Sequence, residues 1–262
     1  MDLITVDIGN TQVVCGLFDG RDLISSFRLS SCSKRTADEY GSSMVRLVEL
    51  KTDAEIGTVD SIICSVVPPL TDKIETALER YFGRVPTVVG PGYSRLGINV
   101  IYDRPEDVGP DRIVDALAAR EAFGSPVIVV DFGTATTLDL VNADGDYVGG
   151  SIMPGLGLAA KTLVESAARL VPVEYKAPPS AVGKNTVDSI RSGLIYGTVS
   201  AVDGMIERFW KEIGGRCPVV ATGGLVKYVA ERSEYIDAVD PELTLKGLWL
   251  AYTKLTESGS GT

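Results

Sequence analysis

The chain has 262 residues, with 25 Lys and Arg against 35 Asp and Glu, a formal net charge of −10, and no histidine. The acidic balance argues against a nucleic-acid partner and against anionic membranes, since binding phosphate backbones takes a surplus of basic side chains on one face. The missing histidine removes Ser-His-Asp triads, Cys-His pairs and His-ligated metals, so acid–base work falls to Asp, Glu, Lys, Tyr or Cys. The four cysteines, Cys15, Cys32, Cys64 and Cys217, are scattered without C-x-x-C spacing and read as buried free thiols of a reducing cytoplasm. No apolar run is long enough to cross a bilayer, and the N-terminus has neither the basic flank nor the cleavage site of a signal peptide.

Taken in chain order, Leu3 to Phe18 reads as two strands around a tight Asp-Ile-Gly-Asn bend, with Asp19-Gly20 turning into a third strand over Leu23 to Leu29. Helical spacing follows over Thr36 to Leu50, with Thr36 or Asp38 as N-cap. Ser61 to Val67 reads as a strand ending at Pro68-Pro69, Leu70 to Phe82 as an amphipathic helix and Val85 to Val89 as a strand. Asp111 to Phe123 reads as a helix. Pro126 to Asp131 and Thr134 to Val141 read as strands, with Asp144-Gly145 as a turn. Gly149-Gly150 and Pro154-Gly155 mark a loop, and Leu156 to Arg169 is helical. Thr186 to Phe209 is one or two helices, Pro218 to Thr222 a strand running into Gly223-Gly224, and Leu243 to Leu255 a last helix before a frayed Ser-Gly-rich end.

An internal repeat organises these elements. LITVDIGNTQVVCGLFDG near the N-terminus and VIVVDFGTATTLDLVNADG beyond mid-chain share one plan: apolar strand, Asp-x-Gly-(Asn/Thr), second strand, Asp-Gly turn. A duplication that places Asp7 and Asp131 half a chain apart accounts for this. It predicts an α/β chain of two related domains, 1–115 and 116–255, facing each other across a cleft, with 256–262 as tail.

The repeated turn suits phosphate. Neither a P-loop string nor a G-x-G-x-x-G fingerprint is present. Gly9 and Gly133 let the backbone bend and approach a bulky anion, and Thr11, Thr134 and Asn10 can donate to phosphate oxygens. Asp7 and Asp131 cannot bind phosphate directly and would be costly at the ends of buried strands without a cation, so they read as cation holders. Gly223-Gly224, after a strand, offers bare backbone to an adenosine, and reads equally as a strand-to-helix turn. Gly109-Pro110-Asp111-Arg112 has two readings. Pro110 and Asp111 can simply start a helix, or Asp111 is a carboxylate base beside a guanidinium that fixes the substrate.

Together these strings resemble the type III pantothenate kinases, a family of the acetate and sugar kinase, heat-shock ATPase and actin superfamily. The resemblance spans nearly the whole chain. It rests on Asp7-Ile-Gly-Asn-Thr11, Thr36-x-Asp38-Glu39, Ser65-Val-Val-Pro-Pro69, the Tyr102–Arg112 segment, Asp131-Phe-Gly-Thr-Ala-Thr136, Gly149-Gly-x-Ile-x-Pro-Gly155, Gly183-Lys-Asn-Thr186 and Thr222-Gly-Gly224. It implies two ribonuclease H-like (actin-like ATPase) domains. It implies transfer of the ATP γ-phosphate to the terminal hydroxyl of pantothenate, opening coenzyme A synthesis. Asp111 matches the family's general base. Tyr102, Gly109, Pro110, Asp111, Arg112 and Thr186 match pantothenate contacts, Thr186 reaching in from a second subunit. Asp7, Ile8, Gly9, Asn10, Thr11, Gln12, Val13, Val14 and Thr134 match ATP contacts, to which the Gly223 and Gly224 reading adds. Asp131 matches the ligand of a monovalent cation (K⁺ or NH₄⁺), and Mg²⁺, held by Asp7 through water, accompanies ATP. A cytoplasmic homodimer is expected.

Two departures stand out. Pro110 replaces the family's usual Ala, restricting Gly109. Ala168-Arg169-Leu170 is followed by Val171, with proline one place late at Pro172, near the expected dimer interface. The rival readings are a kinase of the same superfamily acting on a sugar or small acid, and a non-catalytic regulator that keeps the fold.

Overall fold

The computed structural model describes residues 1–90, 92–167 and 170–259. β1 (Leu3–Ile8) and β2 (Gln12–Asp19) form the first hairpin, antiparallel with Leu3 opposite Phe18 and Ile8 opposite Val13. β3 (Asp22–Ser30) continues the meander through a turn in which Gly20 takes φ +55°. β4 (Asp60–Ser65) lies parallel on the other side of β1, and β5 (Thr87–Val88) lies parallel beyond it, giving the order β3-β2-β1-β4-β5.

Strand alternation divides the labour of β1. Ile4, Val6 and Ile8 face a core shared with α1 (Ala37–Lys51) and α2 (Pro68–Phe82). Leu3, Thr5 and Asp7 face the other way. α6 (Leu243–Gly259) packs on this sheet, with Leu245 against Gly16 of β2. α6 also meets α3 (Pro110–Phe123) so closely that a Cβ on Gly247 would fall inside contact distance of the Val114 carbonyl. Trp249 stacks on Phe18 and donates its indole N–H to the Gly20 carbonyl at 2.5 Å.

Pro68-Pro69 does not end a strand. β4 stops at Ser65, and Pro68 opens α2, where its missing N–H costs nothing because first-turn N–H groups have no helical partner. The last helix was expected in the second domain. It belongs instead to the first unit, Met1–Ala118, so that unit is closed by a segment distant in sequence. α6 also runs through 256–259, where a frayed tail was expected. The tail beyond 259 lies outside the described residues, as does the Ala168-Arg169 pair.

The second unit, Ala119–Glu242, repeats the plan. β6 (Val127–Phe132), β7 (Ala135–Val141) and β8 (Tyr147–Pro154) form an antiparallel meander, and β9 (Val219–Thr222) and β10 (Ala238–Val239) add parallel strands in the order β10-β9-β6-β7-β8. Read from the meander edge, the two sheets connect identically. Gly149-Gly150 and Pro154 were read as loop, yet they lie in β8. An edge strand tolerates Pro, and Gly149 at φ +117° sits beside the register shift at Leu140/Val141. α4 (Leu156–Ser166) follows. α5 (Thr186–Ile213) is one 28-residue helix stopped by Gly214 at φ +76°, and its stripe of Ile190, Leu194, Val202 and Ile206 packs with Ile128 and Val130. Among the described residues no helix is long and apolar enough to cross a membrane.

Candidate active site

The first-unit cluster begins with Asp7. Its strand partner in β4 is Cys64, whose buried thiol donates to Asp7 Oδ1 at 3.4 Å. Burial and then the negative charge of Asp111 push the Asp7 carboxyl up to about 7, against the lowering effect of the Cys64 S–H bond. Asp111 is the second residue of α3, where the helix N-terminus favours a carboxylate, and its Oδ1 accepts the Arg112 N–H at 2.9 Å. Pro110 is the first residue of α3, the position at which proline costs no helical hydrogen bond. Gly109 has no room for a Cβ, which would collide with Asp111 Oδ1. A side chain at Gly109 would therefore displace the Asp111 carboxylate from this position.

Three groups of this cluster were not foreseen. Cys64 is one: its thiol is raised well above the ordinary range by burial and then by Asp7, Asp111 and Asp115, so it stays a neutral S–H donor. Asp115 is buried one helical turn beyond Asp111, and the i, i+4 spacing on a predicted helix was the available signal. Tyr93 is buried and donates its hydroxyl to the Val108 carbonyl at 2.8 Å, next to Gly109. Burial, then Asp111 and Cys64, push its phenol up to about 12. Nothing in the sequence marked Tyr93, because only the chain path brings it to Val108.

The second unit carries the other repeat. Asp131, near the end of β6, pairs with Thr222 in β9 and Thr137 in β7. Glycines surround its carboxylate. A Cβ on Gly223, which sits at φ +97°, would strike Asp131 Oδ1 and the Phe132 backbone, and one on Gly133 would lie 3.0 Å from Asp131 Oδ2. Gly155, at the N-cap of α4, packs equally closely against the carbonyls of Gly133 and Thr134. The turn after β6 is therefore held in a cradle of bare backbone. Thr134 and Gly224 are exposed at its surface.

The remaining expected site residues divide by exposure. Asn10, Thr11 and Gln12 are exposed at the first turn, whereas Ile8 and Val13 are fully buried among core side chains, so they can offer a ligand only main-chain groups. Val14 and Arg112 are half-buried, and Tyr102 is exposed. Thr186 belongs to neither cluster. It opens α5 after the Asn185 cap and, with Gly183, Asn185, Leu163, Leu170 and Ile190, lines an open groove of about 620 Å³.

Two sheets of identical connection, each ending its first strand in an acidic glycine turn, place the chain in the actin-like ATPase fold class. A structure of this class, (R)-2-hydroxyglutaryl-CoA dehydratase component A from Acidaminococcus fermentans, superposes with TM-score 0.57 at 15% identity, covering 97% of this chain and 98% of that one. The family model described as type III pantothenate kinase matches residues 3–208. Type III pantothenate kinases of Syntrophotalea carbinolica and Myxococcus xanthus are 44% and 43% identical, over 96% and 95% of this chain and 98% and 97% of theirs. The chain belongs to the type III pantothenate kinase family. It is a phosphotransferase that phosphorylates pantothenate with ATP in coenzyme A biosynthesis, and this activity uses a divalent metal with the nucleotide.

Proposed function

We propose that Asp111 is the general base of this reaction. The observation that supports it is the position of Asp111: a carboxylate at a helix N-terminus, lying against the bare Cα of Gly109. The pantothenate hydroxyl gives its proton to the Asp111 carboxylate as its oxygen bonds to the γ-phosphorus, and the bond from that phosphorus to the ADP oxygen breaks. Tyr102, Gly109, Pro110 and Arg112 bind pantothenate, Arg112 supplying the cationic contact. Thr186 completes the pocket from a second copy of the chain in a homodimer, which works in the cytoplasm.

The Asp7–Val14 hairpin, Thr134 and Gly223-Gly224 hold ATP. The donor set suits a hydrated divalent ion: Asp7 and Asp111 repel each other, and among the described residues no group of three or more acidic, Cys or His side chains is arranged to hold a metal. Asp7 would hold Mg²⁺ through water, screening the phosphate charge. Asp131, in its glycine cradle, would hold K⁺ or NH₄⁺.

In the experiment that tests the base, Asp111→Asn is assayed for turnover and for binding of a non-hydrolysable ATP analogue. Turnover is expected to fall by about 10²-fold or more while nucleotide binding persists. Near-normal turnover would refute the assignment. Exchange of K⁺ for Na⁺ is expected to lower the rate, and indifference to the cation would count against Asp131.

A further inference from the structure

The Thr36-x-Asp38-Glu39 motif has no part in the chemistry above, and its contacts lead back to the phosphate turn. Thr36 caps α1 in a reciprocal box. The Glu39 N–H donates to Thr36 Oγ1 at 3.2 Å, and the Thr36 N–H donates to Glu39 Oε2 at 2.7 Å. The box sets the first turn of α1, which ends in the buried Tyr40. Gly41 follows with no room for a Cβ against the Tyr81 ring, so α1 is docked tightly on α2 at this point.

The Tyr40 hydroxyl donates to the Ser30 carbonyl at 2.9 Å and accepts the Cys32 N–H at 2.9 Å, holding the chain on both sides of Ser31. Ser31 then reaches the turn between β1 and β2. Its hydroxyl donates to the Gly9 carbonyl at 2.6 Å, and its N–H donates to the Thr11 carbonyl at 3.0 Å. The turn is closed by the Gly9 N–H on the Gln12 carbonyl at 3.0 Å. Because a trans peptide is planar, fixing the Gly9 and Thr11 carbonyls also fixes the N–H groups of Asn10 and Gln12, directed away from Ser31. Donors held this way before the ligand arrives need no reorganisation when it binds.

We propose that Ser31 is a positioning residue for the nucleotide phosphates: it presets the Gly9–Thr11 turn, and Tyr40 with the Thr36–Glu39 box holds it in place. This rests on the assignment of the Asp7–Val14 hairpin to ATP, so the test includes that hairpin. Kinetics with ATP and pantothenate varied separately, together with calorimetric affinity for a non-hydrolysable ATP analogue with Mg²⁺, are measured for wild type, Ser31→Ala, Ser31→Thr, Tyr40→Phe and Thr11→Ala.

Ser31→Ala, which loses one hydrogen bond to the turn, and Tyr40→Phe, which loses both bonds that flank Ser31, are expected to raise the KM for ATP and the analogue Kd about five- to tenfold, with the KM for pantothenate unchanged. Ser31→Thr keeps the hydroxyl and is expected to recover most of the affinity. If Thr11→Ala weakens nucleotide binding but Ser31→Ala does not, the hairpin assignment stands and the positioning role is wrong. If neither variant changes nucleotide binding, the hairpin assignment fails and the positioning role falls with it. A Ser31→Ala variant that raises both KM values alike and lowers Tm also overturns the positioning role.

Discussion

At the residue scale the site is shaped by what surrounds two carboxylates. Burial and then the charge of Asp111 raise the Asp7 carboxyl from the ordinary aspartate range to about 7, so the folded protein holds this proton more tightly than the unfolded chain. The contribution is therefore favourable at low pH and is lost as pH rises from about 4 to 7. Asp7→Asn should stabilise the metal-free protein by on the order of 2–4 kcal/mol at pH 8 while abolishing turnover, with the gain vanishing near pH 4. Denaturant unfolding across pH reads this, and equal stability at pH 8 would count against it. Asp131 depends instead on its glycines. Gly223→Ala meets both an unfavourable φ and the Asp131 carboxylate, so it should cost about 2–4 kcal/mol and, under the proposed cation role of Asp131, alter the response of the rate to K⁺ and Na⁺. The paired measurement is a melting curve and a cation series. Asp7, Asp111 and Asp131 were legible in the sequence because the motif itself carries them. Cys64 and Tyr93 were not, because β-sheet register and a loop path bring them in, and Asp115 was marked only by its i, i+4 spacing from Asp111.

At the element scale, α3 presents Asp111, and α6 presses on α3. Gly247→Val would drive a side chain into the Val114 backbone, and α3 would have to move to accommodate it. The expected cost is about 3 kcal/mol in denaturant unfolding, with kcat lowered because Asp111 rides on the displaced helix. Unchanged stability would mean that the two helices do not meet as described. Hairpins and helices with strong caps were legible from local pattern. Thr36 as N-cap and the bend at Asp7–Asn10 needed only short-range chemistry. β8 was hidden because Gly149, Gly150 and Pro154 read as turn residues, and only pairing with β7 makes an edge strand of them. The single α5 was uncertain because Gly193, Gly197 and Gly204 weaken its helical signal, while a buried stripe along its length keeps it continuous.

At the scale of the whole molecule, the proposed homodimer has its own test. If Thr186 serves the site of the other subunit, Asp111→Asn and Thr186→Ala chains, each impaired alone, should regain about a quarter of wild-type activity when mixed and allowed to exchange subunits. Half of the dimers would then be mixed, and one of their two sites intact. No recovery on mixing, with exchange verified, would place Thr186 in its own subunit's site. The sequence by itself determined the duplication, the acidic glycine turns and the family, since these reside in contiguous strings whose chemistry is local. Only the folded chain decided that the last helix closes the first unit and that Gly223 is bare beside the Asp131 carboxylate. It also decided that Ser31 grips the Gly9–Thr11 turn. Those depend on close approaches between segments far apart in the chain, and a linear pattern carries no distance between them.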